Sequence, residues 1–104
     1  MASLFRNAAN NVLGTANCVI YTTPATANAV IFSLFVTNTG GADTRANVVM
    51  YDSSADKYFS IAYKLAIVES NGWYIDKPIE LMPSDQLYVR AANCDVVCSI
   101  LELS

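Results

Sequence analysis

The run NAVIFSLFV, residues 28–36, decides which class of fold this sequence can adopt. One parity of the run is apolar throughout, and the other parity is mixed. The apolar parity consists of Val30, Phe32, Leu34 and Val36. A period of two is typical of a β-strand with one face in a core, whereas a helix of these residues would be apolar nearly all round and rich in β-branched side chains. The sequence therefore predicts a strand whose core face carries this parity.

The same alternation returns along the chain between polar turns. The other predicted strands are Cys18–Thr23, Ala46–Asp52, Lys57–Ile67, Trp73–Leu81, Gln86–Ala92 and Val96–Leu103. Pro24 and the polar segment 37–44 bound the central run. Ser53–Asp56 is typical of a tight hairpin turn, and Pro78 limits its strand to an edge, a bend or two short pieces. Within Lys57–Ile67, one parity is apolar or aromatic and comprises Phe59, Ile61, Tyr63, Leu65 and Ile67.

About eight strands at this spacing indicate a single all-β domain, an antiparallel β-sandwich of the Ig-like or jelly-roll-like kind. The N-terminal LFRNAANNVL is rich in asparagine, which favours an arm or an edge strand over a helical turn. We therefore expect a short N-terminal arm, residues 1–10, followed by a β-sandwich domain, residues 11–104.

The composition describes a surface with few charges. The chain has 104 residues, of which 54% are apolar and only 14% are charged, with a net charge of −3. An ordinary soluble domain is about 25% charged, so much of this surface is expected to be covered in an oligomer or a particle. A compact monomer with a Ser/Thr/Asn-rich exterior is the alternative. The scattered charges form no basic patch, which disfavours nucleic-acid binding.

The N-terminus lacks the features of a signal peptide, and the apolar stretches are too short for a transmembrane helix. We therefore expect no membrane association.

The chain lacks the side chains that most catalytic arrangements require. It has no histidine, which removes the Ser-His-Asp and Cys-His arrangements, and no lysine lies in a catalytic motif. Carboxylate pairs such as Asp52 with Asp56 bracket turns, where exposed acids are expected anyway. Asp52, Ser53, Ser54 and Asp56 make a weak calcium candidate, but a hairpin whose side chains bond their own backbone is favoured. We expect no enzyme activity, no cofactor and no metal.

Three cysteines, Cys18, Cys94 and Cys98, form an odd number. Cys94 and Cys98 would lie on one face of a strand about 13 Å apart, too far for a disulfide. Burial of all three is the favoured interpretation. A Cys94–Cys98 bond across a bend and an intermolecular bond stay open as alternatives.

Trp73 and Tyr74 follow Asn71-Gly72, so two large rings begin a strand at a loop. With Asn71 and Asp76 nearby, such rings could form a carbohydrate platform. The favoured alternative places one ring in the core and its neighbour at an interface, because consecutive strand residues point to opposite faces.

The order of these features resembles a group of small all-β virion proteins of tailed bacteriophages, including phages of marine and cyanobacterial hosts. The similar elements are YTTP, the long apolar strand ending in NT, VVMYDSS, LMPSDQLYVRA and the terminal SILE. They cover residues 11–104 and are turn and strand signatures. Ser84 stands where such proteins commonly have glycine before the Asp, and the cysteines are outside the pattern.

The resemblance implies a non-enzymatic capsid decoration (cement) protein that bridges neighbouring capsid subunits. The alternative is a neck, tail or baseplate module, with or without binding of a glycan or host receptor. The expected partners are the major capsid protein or other virion proteins, with a homo-oligomer, a trimer being favoured, and a location in the virion after assembly in the host cytoplasm. The candidate partner-binding residues are Leu4, Phe5, Arg6, Asp43, Arg45, Trp73 and Tyr74.

Overall fold

The computed structural model describes residues 3–14 and 16–104, and their regular structure consists of β-strands. The strands in this part of the chain are β1 Ser3–Val12, β2 Cys18–Thr22, β3 Asn28–Asn38, β4 Thr44–Asp52, β5 Lys57–Ile67, β6 Gly72–Ile75, β7 Ile79–Leu81, β8 Gln86–Arg90 and β9 Cys94–Leu103. All pairings between them are antiparallel. The predicted all-β sandwich is confirmed, with nine strands in place of about eight.

The strand order distinguishes the two sandwich types that the sequence left open. One sheet has the order β1-β9-β3-β6, with β7 also pairing with β3, and the other has the order β2-β8-β4-β5. Of the strands consecutive in the described chain, only β4 and β5 are neighbours in a sheet, so most connections cross between the sheets. This order is that of a jelly roll, in which β6 and β7 are two halves of one edge strand.

The core lies between the two sheets and takes alternate residues from each strand. Its largest fully buried apolar side chains include Ile31, Leu34, Leu81, Leu87 and Ile100. The inward face of β9 is buried at every second position, from Cys94 to Glu102. The core is therefore built by period-two patterning, as the sequence predicts.

The core parity of β3 differs from the prediction in its first half. Val30 is only half-buried and Phe32 is exposed, whereas Ile31 is fully buried. The cause is a register shift in the pairing with β9 between Ile31 and Ser33. A β-bulge adds one residue to a strand, so the inward parity changes from odd to even positions. Leu34 and Val36 then face the core as predicted.

Strand β5 shows the same effect. Ile67 is buried and Leu65 half-buried, but Tyr63 of the same parity is exposed. The pairing of β5 with β4 contains two register shifts, and Lys64 has a positive φ of 50°. The Asn47 Oδ1 accepts a hydrogen bond from the bulged Lys64 N–H at 2.7 Å. A bulge thus turns Tyr63 outward.

Pro78 divides its predicted strand into two short pieces, β6 and β7, at the edge of the first sheet. This confirms the limit that the proline imposes on sheet pairing. The N-terminal segment forms β1, an edge strand that pairs with β9 over its whole length. Residues 3–10, assigned above to an arm, therefore lie in the sheet. Whether they also reach a neighbouring subunit stays a prediction.

The predicted hairpin at Ser53–Asp56 is confirmed, because Asp52 pairs with Lys57 across it. The Asp52 Oδ1 accepts hydrogen bonds from the Ser54 N–H at 3.0 Å and the Ser54 hydroxyl at 2.7 Å. The buried Asp85 carboxylate connects this hairpin turn to the turn Met82–Asp85. It accepts hydrogen bonds from the Ser53 N–H and the Met82 N–H, both at 3.0 Å. The acids and serines of this hairpin thus stabilise turns.

The turn Met82–Asp85 carries strain at one residue. The Asp85 N–H donates to the Met82 carbonyl at 3.0 Å, and Ser84 has a φ of 68°. With Pro83 at its second position this is a type II turn, whose third position favours glycine.

We predict that Ser84→Gly raises the free energy of unfolding by about 0.5–1 kcal/mol, because glycine adopts a positive φ without the clash of a Cβ atom. Urea unfolding of the two proteins measures the change. Ser84→Ala is the matched control, since it keeps the Cβ and gains nothing. A glycine variant no more stable than the alanine variant would contradict the assignment of strain.

Candidate functional site

The outer face of the β1-β9-β3-β6 sheet exposes aromatic side chains from three strands. Phe5 stacks on Phe32 with ring centroids 6.4 Å apart, and Phe35 stacks on Tyr74 at 6.0 Å. The four rings are between 41% and 75% exposed, and Val97 lies among them at 43%. We call Phe5, Phe32, Phe35, Tyr74 and Val97 the aromatic face.

This face has the chemistry of a protein contact rather than of a catalytic site. Among the described strand residues that point outward from this sheet, only Asp95 and Glu80 are charged. The four rings expose on the order of 400 Å² of aromatic surface, which is the size of the largest patch on a typical monomer and about half of what one partner contributes to a standard interface. Such a face is suited to bind another protein surface.

The predicted residues of the N-terminal segment separate onto two faces. Phe5 belongs to the aromatic face and is 75% exposed. Leu4 and Arg6 point toward the other face of the strand, at the open edge of the sandwich, where Leu4 is half exposed and Arg6 pairs with Glu102. The structure therefore joins only Phe5 to the aromatic face.

The predicted pair Trp73 and Tyr74 also separates. Trp73 packs partly buried against the core opposite Val36, whereas Tyr74 points outward beside Phe35. One ring is thus in the core and its neighbour is available to a partner. A carbohydrate platform made of both rings is not assembled here.

Asp43 and Arg45 bind their own chain in the structure. The Asp43 carboxylate accepts a hydrogen bond from the Glu69 N–H at 2.9 Å, and the Arg45 guanidinium donates to the Lys64 carbonyl at 3.1 Å. Both contacts fix irregular backbone, a loop end and the β5 bulge. Arg45 lies on β4 of the other sheet, and Asp43 lies in the loop before β4, so neither belongs to the aromatic face.

Sequence reasoning missed Phe32, Phe35 and Val97. Strict alternation continued through the bulge predicts Phe32 in the core, and it assigns Phe35 to the face whose residues are of mixed polarity. The available signal was that this strand carries a phenylalanine at an even position, Phe32, and another at an odd position, Phe35. A strand with only one face against a core does not need apolar residues on both faces.

The outer face of the β2-β8-β4-β5 sheet carries a second aromatic group. The Tyr51 and Tyr58 rings lie 4.8 Å apart, and Tyr58 and Tyr88 lie 5.7 Å apart. The Tyr51 hydroxyl donates to Asp56 at 2.6 Å, which raises the pKa of Tyr51 to about 12. The Tyr51 hydroxyl therefore stays protonated across the physiological pH range.

Beside these rings lies an open cleft of about 180 Å³. Its walls include Tyr58, Tyr63, Asn47, Ser60 and Arg90. Arg90 has no ion-pair partner within the described residues. The cleft thus offers two tyrosine rings together with amide, hydroxyl and guanidinium groups.

A buried carboxylate connects the two sheets at the open edge of the sandwich. Glu102 on β9 accepts a 2.5 Å hydrogen bond from the Tyr21 hydroxyl on β2 and pairs with the Arg6 guanidinium on β1 at 2.8 Å. The Tyr21 hydrogen bond, followed by the Arg6 contact, holds the pKa of Glu102 below its ordinary value. These three side chains have a structural role, because both carboxylate oxygens of Glu102 accept a hydrogen bond, one from the Arg6 guanidinium and one from the Tyr21 hydroxyl.

The cysteines are free thiols. Cys94 and Cys98 are buried on the inward face of β9, and burial raises the pKa of Cys98 to about 11. Cys18 is only partly buried, so the expectation that all three are buried holds for two of them. Neither buried thiol has the lowered pKa of a reactive nucleophile.

Residues 3–14 and 16–104 contain no helix with the length and hydropathy needed to cross a bilayer. They contain no cluster of side chains able to hold a metal ion.

The chain matches no protein-family model and no curated protein. Among solved structures it is similar to a chain of the T13 viral particle of infectious bursal disease virus, with a TM-score of 0.60 and 8% identity over 96% of this chain and 30% of that chain. It is similar to a chain of the Gx strain of that virus, with a TM-score of 0.57 and 8% identity over 98% of this chain and 33% of that chain. It is also similar to the VP2 subviral particle, with a TM-score of 0.55 and 9% identity over 96% and 32% of the two chains.

This chain therefore spans about one third of the length of those viral chains. At such low identity the likeness shows a shared fold, the sandwich described above. No residue role is transferred by it.

We predict that Glu102→Gln lowers the free energy of unfolding at pH 7 by about 1.5–3 kcal/mol, the usual worth of hydrogen bonds to a charged group. Because the pKa of Glu102 is lowered on folding, the stability it adds is present above its unfolded value, near 4.3, and is lost as pH falls through the folded value. Urea unfolding between pH 7 and pH 3 should show the gap between wild type and variant closing with acid.

Tyr21→Phe provides the control for this prediction. It removes the largest cause of the lowered pKa, so Glu102→Gln should cost less in a Tyr21→Phe background. A gap that is constant over this pH range would count against the ionised pair.

Proposed function

We propose that this protein is a non-enzymatic structural protein of a virus particle. In this role it acts as a capsid decoration (cement) protein that bridges neighbouring capsid subunits. The observation that carries the proposal is the nearly uncharged aromatic face on one sheet of a jelly-roll sandwich.

The physical argument starts from the cost of leaving this face in water. Each exposed ring gains roughly 25 cal/mol for every Å² of apolar surface that a partner removes from water. The rings are paired by stacking on a sheet, so little side-chain entropy is lost when they bind. Rigid aromatic anchors of this kind dominate the binding energy of protein interfaces.

The comparison structures support the choice of partner. Their chains come from viral particles and share this fold over nearly the whole of this chain. The low proportion of charged residues is consistent with a surface covered by neighbours. The turn and strand signatures quoted above support a tailed-phage origin and a location in the virion. A homo-oligomer in the particle belongs to the same proposal.

Binding to empty expanded capsids of the encoding virus tests this function. We predict that Phe35→Glu weakens binding about 30-fold or more, because it places a charge in the centre of the aromatic face and removes an anchor worth at least about 2 kcal/mol. Capsid co-sedimentation measures the change.

Tyr63→Glu is the matched control. Tyr63 is an aromatic residue on the outer face of the other sheet, and it is more exposed than Phe35, at 67% against 47%. It should leave capsid binding unchanged. Wild-type protein that fails to bind capsids, or a loss with Tyr63→Glu alone, would contradict the proposed face.

The cleft on the second sheet favours one alternative, a tail, neck or baseplate module that binds a host glycan. Tyr58 and Tyr63 could stack on sugar rings, while Arg90 and Asn47 supply hydrogen bonds. This location replaces the Trp73 platform, because Trp73 packs against the core.

For this alternative we predict that Tyr63→Ala abolishes glycan-array or cell-adsorption signals while Tyr74→Ala retains them, because Tyr63 lines the cleft and Tyr74 does not. Absence of any signal from wild-type protein would exclude the glycan function and leave the cement role unaffected.

A further inference from the structure

The edges of the two sheets are protected unequally. The β6/β7 edge is short and interrupted at Pro78. Strand β5 carries Lys57, Lys64 and two register shifts, and β2 has only five residues with a shift of its own. Lysines, prolines, bulges and short length are the usual means by which an edge avoids pairing with another chain.

Strand β1 has none of these protections. It is ten residues long and pairs with β9 without a register shift, and it contains no Lys or Pro. Its one charged side chain, Arg6, is neutralised by Glu102. On its other side β1 has no neighbouring strand among the described residues. It is therefore a long, regular and open edge.

The hydrogen-bonding direction along β1 follows from one contact. The Asn11 N–H donates to the Asn10 side chain at 2.9 Å, so it does not take part in the ladder with β9. In an antiparallel pair such positions alternate, so the odd-numbered residues of β1 direct their main-chain groups away from β9. Their side chains lie on the outer face with Phe5.

From this edge we infer that β1 pairs antiparallel with β1 of a second copy, about a two-fold axis at Asn7. This interaction joins the β1-β9-β3-β6 sheets of two molecules into one. It requires only the folded chain and goes beyond the virion role proposed above.

The sequence of β1 selects this register. With Asn7 opposite Asn7 of the second copy, Phe5 faces Ala9 and Ser3 faces Asn11, so the bulky ring meets the smallest side chain. The two Asn7 amides can hydrogen-bond each other, since each has a donor and an acceptor. Arg6 faces Ala8, so equal charges are not directly opposed. Up to about ten main-chain hydrogen bonds form across the new pair.

The two-fold operation also explains why a second copy is the occupant. An isologous contact needs one surface that is complementary to itself. The large residue, the small residue and the central amide of β1 stand symmetrically about position 7. The aromatic faces of both copies then lie on the same side of the joined sheet.

Site-specific cross-linking tests the register. The probe is a short thiol-specific cross-linker, applied in a Cys18→Ser background because Cys18 is partly exposed. Asn7→Cys should cross-link to a dimer, since opposed Cβ atoms lie about 5 Å apart. Ser3→Cys and Asn11→Cys should each fail alone, since identical residues would then lie about 27 Å apart, and should cross-link when the two variants are mixed.

Association is measured independently by sedimentation. Wild-type protein should be a dimer, and Ala9→Lys should weaken dimerisation at least tenfold because a lysine on an edge strand opposes pairing with another chain. Ala25→Lys, on an exposed loop, is the matched control and should leave the dimer intact. A wild-type monomer, a trimer, or a dimer that Asn7→Cys fails to cross-link would overturn the inference.

Discussion

The structure depends on the insertion of β9 between β1 and β3. This last strand pairs with β1 over ten positions and with β3 over a similar length, so the beginning and the end of the described chain pair with each other at one side of the sheet. Its inward side chains, from Cys94 to Ile100, fill the centre of the core. Because these contacts join residues that are far apart in sequence, the sheet forms only after long loops have closed, which is entropically costly and slow.

That arrangement also decides which surfaces are left over. A strand paired on both sides and packed on one face directs its other face outward, and on β9 and β3 that face carries exposed aliphatic and aromatic side chains such as Val97 and Phe35. The Arg6–Glu102–Tyr21 contact closes the edge of the sandwich where β1 and β2 approach each other, so β1 is held in place while its outer edge is open. Strand β1 therefore contributes to the core, to the aromatic face and to an unprotected edge.

Much of the fold was predictable from period and punctuation. The strand bounds of β5 and the Ser53–Asp56 hairpin agree with the sequence prediction, and Pro78 interrupts its strand as expected. The core parity of β3 was predicted correctly for Leu34 and Val36 and wrongly for Phe32. The bulge responsible has no local sequence signature here, because it arises from the match between β3 and a strand some 65 residues away. The candidate site suffered from the same cause, since the bulge moves Phe32 onto the outer face.

By itself the sequence determined that this chain is all-β, that it forms one sandwich with few charged residues, and that it has no histidine for a Ser-His-Asp or Cys-His arrangement. These properties depend on composition and on side-chain alternation, which are local. Only the tertiary structure decided between the jelly-roll and Ig-like orders, brought Phe5, Phe32, Phe35 and Tyr74 onto one face, and left β1 as an open edge. Strand order and register are set by the packing of distant segments against one core, and local patterns carry no record of which strand becomes the neighbour of which.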